Sequence, residues 1–240
     1  MNKNLSKVVS KTTAKTLFVL DIDSSLVLTH KRNEAVVRRF AQSISSQNQQ
    51  LSQQLANIDC RPMEYGYFSA VERVAPQISK KDSENLHHFW KQHFFSNEFL
   101  HYDLIHCDAL RFVKTLSEQK RPFVYLTGRP SDQMREGTLT TLKSFGFPIS
   151  DSILFMKPND SYVDESYKAD ILPQIITGYD QVIFIDNEPR VLLQIEKHHP
   201  NVELIFVDTC HSPHVFPPST AIVIKDFTEI TNILMTMGAP

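Results

Sequence analysis

Apolar residues along this chain follow two rhythms. Thr16-Leu17-Phe18-Val19-Leu20 is an unbroken apolar run of strand length, the pattern of a strand covered on both faces in a parallel sheet. Runs of similar length recur at 122–126, 152–156, 181–185, 202–207 and 221–224. Between them the spacing turns helical. Ala109, Leu110, Phe112, Val113 and Leu116 mark one helix, residues 131–145 a second that Gly146 closes, and Ile171, Leu172, Ile175 and Ile176 a third that ends before Gly178. Asn187 is placed to cap a fourth, with Pro189 in its first turn, and a short last helix covers 228–235. Strands alternating with helices predict an α/β fold, a Rossmann-like doubly wound parallel sheet with right-handed crossovers.

One long stretch breaks the alternation. Residues 31–104 are rich in Gln, Asn, Ser, His and aromatic side chains and hold few strand-like runs. Val36, Val37, Phe40 and Ile44 keep helical spacing, which Leu51 and Leu55 extend through the polar tract 43–54. Ser69-Ala70-Val71-Glu72 reads as a capping box with Pro76 as a stop, and Leu86, Phe89, Trp90 and Phe94 give residues 83–95 an apolar helical face. The expected organisation is a solvated tail over 1–15, a core domain formed by 16–30 and 105–240, and a helical insertion over 31–104. Lys3, Lys7, Lys11 and Lys15 give the tail its polar character.

Composition narrows the function classes. The 240 residues are 41% hydrophobic and 22% charged, with a formal net charge of −2, so no global field recruits polyanions and nucleic acid is not an expected partner. Cys60, Cys107 and Cys210 are odd in number and far apart, which fits a reducing cytoplasmic setting rather than a disulfide framework. No apolar stretch is long enough for a membrane span. His87, His88 and His93, and His211 with His214, lack the accompanying ligands of a zinc site. Oligomeric state is not legible at this level.

The candidate chemistry lies where strands end. Asp21 and Asp23 follow the first strand one residue apart, so alternation along the chain directs them to one crevice at the carboxyl end of the sheet. Taken alone, an Asp in such a place is as often a turn former or helix cap. Thr127 ends the strand in Tyr125-Leu126-Thr127-Gly128-Arg129-Pro130, Lys157 follows the next strand, Lys168 begins a helical stretch, and Asp186 closes Phe184-Ile185-Asp186-Asn187. Two carboxylates at one crevice can divide the work of nucleophile and proton carrier.

In order and context these segments resemble the motifs of the haloacid dehalogenase (HAD) superfamily. The resemblance runs through nearly the whole chain, with Ser25 standing where that superfamily usually has Thr or Val. It implies a phosphatase in which Asp21 is the nucleophile, Asp23 the general acid and base, and Thr127 and a lysine hold the phosphoryl group. Lys168 is favoured for that lysine over Lys157. It implies Mg²⁺ held by Asp21, Asp186 and the main-chain carbonyl of Asp23, with Asn187 or Glu188 as a further candidate. The insertion corresponds to a cap of the C1 type, which implies a small phosphorylated substrate. Ser25, Gly128 and Arg129 are candidate substrate contacts, Arg129 being equally able to brace its loop.

The chemistry accounts for these residue types. A carboxylate attacking a phosphate meets repulsion of about 4 kcal/mol per pair of unit charges at roughly 4 Å and an effective dielectric of about 20. Cations have to offset it, and a hard oxygen-seeking ion with an ammonium group does so. Two other readings share the pattern: a phosphatase acting on a polynucleotide 3′ end or a phosphoprotein, and a catalytically silent binding protein on the same fold.

Overall fold

The computed structural model describes residues 3–238. Along the chain lie α1 (Lys3–Val9), β1 (Thr16–Leu20), β2 (Val27–Leu28), α2 (His30–Ser43), α3 (Gln49–Ala56), α4 (Phe68–Val74) and α5 (Lys80–Phe94). β3 (Leu104–Ile105), α6 (Ala109–Glu118), β4 (Phe123–Pro130), α7 (Ser131–Ser144), β5 (Leu154–Lys157) and α8 (Asp164–Ile175) follow. The chain ends with β6 (Gln181–Asp186), α9 (Pro189–His198), β7 (Glu203–Val207), β8 (Ile222–Ile224) and α10 (Thr228–Met237).

Six strands pair in the order β5-β4-β1-β6-β7-β8, every pairing parallel. β1 is central, and all five of its residues are buried. Its alternate side chains serve different layers, as the two-residue period of a strand requires. Phe18 and Leu20 join Tyr125, Ile183, Ile185 and Ile205 in one core with Phe112 and Met134. Leu17 and Val19 join Leu126, Phe184 and Phe206 in a second core with Leu172, Leu192 and Ile195. Helices on both faces of a parallel sheet are the doubly wound architecture that the strand and helix rhythm predicts.

Helices α2 to α5 form the insertion and enclose a third hydrophobic cluster, in which Val37, Phe40, Leu51, Leu55, Tyr67, Val71 and Leu86 are buried. The chain enters and leaves this bundle through β2 and β3, an antiparallel ribbon in which Val27 pairs with Ile105 and Leu28 with Leu104. Local chemistry shapes the helix ends. The expected continuous helix through the polar tract is instead two helices, because Asn48 Oδ1 accepts from Leu51 N at 3.1 Å and starts α3 afresh. α5 starts earlier than expected, with Ser79 Oγ accepting from Asp82 N at 3.0 Å. Ser69 does not cap α4, which begins at Phe68. Tyr67 is buried and stacks on Phe68 at 4.3 Å, so aromatic packing sets that helix start.

The expectation of a solvated tail over residues 1–15 is corrected. Lys3–Val9 is a helix that packs on α10, and Leu5 and Val9 are fully buried in the first core. An apolar pair at i and i+4 was hidden among lysines, yet it is the spacing that gives one turn a buried side. Among the described residues, no helix is long and apolar enough to cross a membrane.

Leu5→Ala is expected to lower the unfolding free energy by about 2–5 kcal/mol, the usual cost of a buried leucine truncation. Lys7→Ala should stay within about 0.5 kcal/mol. Urea unfolding followed by circular dichroism checks both, and equal indifference to the two changes would contradict a docked helix.

Candidate active site

Strand parity brings the two key carboxylates to one place. Asp21 continues the Leu17 and Val19 side of β1, and Asp186 continues the Val182 and Phe184 side of β6, the side that α8 and α9 cover. Asp21 N still donates to Ile185 O at 3.0 Å, so both acids leave the sheet at the same level. α8 presents Lys168 on its buried face with Ala169, Leu172 and Ile175. The ammonium donates to Asp21 Oδ1 at 2.5 Å and to Asp186 Oδ2 at 2.7 Å. All three groups are buried.

Burial pushes the Asp21 carboxyl up to about 7, with Lys168 opposing the rise and Asp186 and Asp23 adding to it. Burial alone would push Lys168 down, but Asp186 and Asp21 more than reverse this and hold the ammonium charged. With Asp21 ionised, two carboxylates against one ammonium leave an excess negative charge in a site screened from water. Asp186 Oδ1 accepts from Glu188 N at 2.8 Å, which fixes its orientation.

After Asp21 the chain turns sharply. Ser24 sits at φ 60°, a left-handed conformation that is unusual for a residue with a side chain. Ser24 N donates to Val27 O at 2.7 Å, Val27 N to Ile22 O at 3.0 Å, and Thr209 Oγ1 to Ser24 O at 2.5 Å. These bonds hold the turn and aim Asp23 back over the end of the sheet.

Asp23 meets two buried guanidiniums there. Arg129 donates to Asp23 Oδ2 through Nε at 2.9 Å and to Oδ1 through Nη2 at 2.6 Å, and Arg32 Nη2 also donates to Oδ1. Asp103 completes the group. It accepts from Arg32 Nε and Nη2 at 2.7 Å each and from Arg129 Nη2 at 3.0 Å. Burial would push Asp23 up, but Arg129 and Arg32 outweigh it and hold its carboxyl well below the usual carboxylate range. Asp103 is different: burial raises it against the same two cations.

Asp21, Asp23, Thr127, Gly128, Lys168, Asp186, Asn187 and Glu188 line one cavity of about 180 Å³, together with Asp164, Val191 and two aromatic side chains from the end of the insertion, Phe94 and Phe95. Gly128 has a steric reason to be there, since a Cβ at that position would collide with the Asp164 carboxylate.

The remaining candidates separate. Lys157 does not join Asp21; it donates to Asp164 Oδ1 at 2.7 Å, lies 3.5 Å from Asp160 and sits over the Phe95 ring. Arg129 is 1% exposed with its donors spent on Asp23, Asp103 and Thr138, so it braces the loop rather than opening onto the cavity. Ser25 is also turned away, its hydroxyl donating to Asn187 Oδ1 at 3.2 Å. Asn187 Nδ2 donates to Cys210 O at 2.5 Å. The helix cap expected at Asn187 belongs to Glu188, which accepts from Arg190 N at 3.2 Å while its other oxygen accepts from Ser212. The reason is length: Asn187 is already committed to Ser25 and Cys210, and the longer Glu188 side chain folds back over the helix start.

Sequence reasoning missed Arg32 and Asp103. Arg32 carried a signal, because it falls on the apolar stripe of α2 four residues before Val36. Asp103 carried none, standing in an aromatic connector without periodicity.

The insertion touches the core through two further contacts. Lys91 pairs with Asp160 at 2.7 Å, and Cys210 Sγ donates to Glu64 O at 3.0 Å. Of the histidines, His87 Nδ1 lies 3.2 Å from Tyr67 Oη and His93 Nδ1 3.2 Å from Glu98. Trp90 stacks on Phe94 at 4.7 Å within the aromatic cluster.

No protein-family model and no curated protein matches the sequence. Solved structures do match. A HAD-superfamily hydrolase of subfamily IA, variant 1, from Geobacter sulfurreducens shares 14% identity over 94% of this chain and 99% of its own, with a TM-score of 0.57. A HAD-superfamily hydrolase from Ehrlichia chaffeensis shares 12% over 95% and 98%, with a TM-score of 0.53. A mutant of CbbY from Rhodobacter sphaeroides, in complex with xylulose 1,5-bisphosphate, shares 9% over 90% and 95%, with a TM-score of 0.54. The chain therefore has the HAD fold: a Rossmann-like parallel sheet with a helical cap inserted after the first strand.

Lys168→Met would strand two buried carboxylates without their cation. Breaking such a pair costs about 3–5 kcal/mol, read by urea unfolding at pH 7 with EDTA present. In the variant the Asp21 carboxyl, already raised by burial, would lose the cation that opposes the rise and titrate higher still in the folded chain than in the unfolded one. Stability would then recover as pH falls toward 5, since the folded state binds the extra protons. A deficit independent of pH would count against this pairing.

Proposed function

We propose that this protein is a Mg²⁺-dependent phosphomonoesterase of the HAD superfamily, acting through a phosphorylated Asp21 on a small phosphorylated metabolite in the cytoplasm. The observation that carries the reading is the convergence of Asp21 and Asp186 on the Lys168 ammonium at the carboxyl end of the sheet.

The donor set fits a hard divalent cation. The Asp21 and Asp186 carboxylates and the Asp23 main-chain carbonyl would hold it, and the excess negative charge of the site is what such an ion balances. Two side-chain carboxylates and one main-chain carbonyl leave the other ligand positions to water and substrate oxygens, which Mg²⁺ accepts. When bound, the ion supplies charge neutralisation at the phosphoryl oxygens.

In the first displacement an Asp21 oxygen bonds to phosphorus while the ester P–O bond breaks, and its electron pair leaves with the alcohol oxygen, which takes the proton carried by Asp23. Lys168 offsets the charge shared between nucleophile and phosphoryl group, and the Thr127 hydroxyl donates to the same group. In the second, water bonds to phosphorus, its proton passes to Asp23, and the P–O bond to Asp21 breaks with its electrons returning to the carboxylate. Both guanidiniums oppose a proton on Asp23, which makes its protonated form a stronger acid toward the leaving oxygen and its carboxylate a weaker base toward water.

The size of the cavity, with Phe94 and Phe95 among its lining residues, supports a small substrate. The contacts that tie cap to core, Lys91 with Asp160 and Cys210 with Glu64, speak against a groove for a polynucleotide end or a phosphoprotein. The three unpaired cysteines support a reducing compartment.

Asp21→Asn is expected to lower magnesium-dependent hydrolysis of p-nitrophenyl phosphate by at least about 1000-fold, as loss of a nucleophile does, with an unchanged circular dichroism spectrum. EDTA should remove wild-type turnover and added Mg²⁺ restore it. Lys168→Met should be as damaging as Asp21→Asn and Lys157→Met much less so. A wild-type rate from purified Asp21→Asn protein would end this reading.

A further inference from the structure

We propose that Arg32 and Asp103 are positioning residues for Asp23, setting its carboxylate for the attack of water on phosphorylated Asp21. The inference rests on the phosphatase reading above. Neither residue lines the cavity, so each acts through Asp23. They belong to the two segments by which the chain enters and leaves the cap: Arg32 lies in the first turn of α2, and Asp103 immediately precedes β3.

The geometry gives each member a separate task. A carboxylate offers about four lone-pair sites. Three on Asp23 are filled by arginine donors, two at Oδ1 and one at Oδ2, and the side chain keeps 26% exposure. What remains free is one acceptor direction at Oδ2 on a residue that lines the cavity. The final torsion of an aspartate is otherwise broad, so this fork is what defines the direction in which a water proton can be taken.

Asp103 allows the fork to exist. Arg32 and Arg129 are 0% and 1% exposed, and two buried guanidiniums facing Asp23 alone would leave an uncompensated cation. Asp103, itself 1% exposed, accepts from both and makes a neutral square of alternating charge. Arg32 also connects this square to the lining of the cavity. Its guanidinium carbon lies 4.4 Å from the Phe94 ring centroid, and Nη1 donates to Phe94 O at 3.5 Å. Arg129 Nη1 is anchored separately by Thr138 Oγ1 at 3.1 Å.

The test separates the two displacements. With p-nitrophenyl phosphate the departing phenolate needs little help, so the first displacement makes small demand on Asp23 while the second depends on it. Rapid-mixing kinetics and acid-quench mass spectrometry would be applied to Asp103→Asn, to Arg32→Lys, and to the double variant Arg32→Met/Asp103→Asn. The double variant removes one cation and one anion together, so the buried group gains no net charge and the fold is kept.

The expected result is a burst of nitrophenol approaching one equivalent per enzyme, a steady-state rate lower by about 10- to 100-fold, and accumulation of protein phosphorylated on Asp21. Arg32→Lys keeps the charge but loses the fork, and should show the same burst. A purely architectural role would slow both displacements together, so a lowered rate without a burst overturns the proposal, as do wild-type kinetics in the double variant. Wild-type protein lacking Asp21-dependent turnover would remove the phosphatase reading and this inference with it, whereas Asp21-dependent wild-type turnover with burst-free variants removes the inference alone.

Discussion

One ammonium group shared by two carboxylates sets the terms for this structure. Lys168 comes from a helix, Asp21 and Asp186 from neighbouring strands, and all three charges lie out of reach of bulk water. Each would be costly to bury alone, and each is tolerable only because the other two are within hydrogen-bonding distance. The sheet meets this constraint through parity. β1 and β6 pair in register from Thr16 with Gln181 to Leu20 with Ile185, so their next residues leave the sheet on the face that α8 covers. A shift of one residue in either strand would send an acid into the opposite hydrocarbon layer.

Much of this was legible in the chain itself, for reasons that differ from residue to residue. Asp21 and Asp186 stood out because each ends an apolar run that has no other use for a charge. Lys157 and Lys168 could not be separated by spacing, since one ends the fifth strand and the other comes in the next helix, a short distance on. What distinguishes them is helical phase. Lys168 shares the buried side of α8 with Ala169 and Leu172, and a lysine on such a side requires an anionic partner beneath it. Lys157 has its own acids in the loop that follows it.

Other features were out of reach of pattern alone. Asp103 has meaning only through Arg32, 71 positions away, and Arg129, 26 positions away. No local rhythm records such a meeting. The docking of α1 was obscured because evenly spaced lysines dominate its composition, while its two buried residues find their partners at the far end of the chain in α10. The start of α4 was misplaced because stacking between Tyr67 and Phe68 outweighed a well-formed capping sequence. In each case a contact distant in sequence prevailed over a local preference.

The narrow ribbon of β2 and β3 has a consequence for how this chain can vary. Everything between Leu28 and Leu104 is a single loop whose ends are already held together by main-chain pairing. The entropy lost in closing such a loop grows only with the logarithm of its length, so doubling the intervening segment costs only about 0.6 kcal/mol. The neck therefore makes the enclosed residues nearly independent in length from the sheet that carries the charges. Segments of very different size fit between Arg32 and Asp103 while Asp21, Lys168 and Asp186 stay where they are.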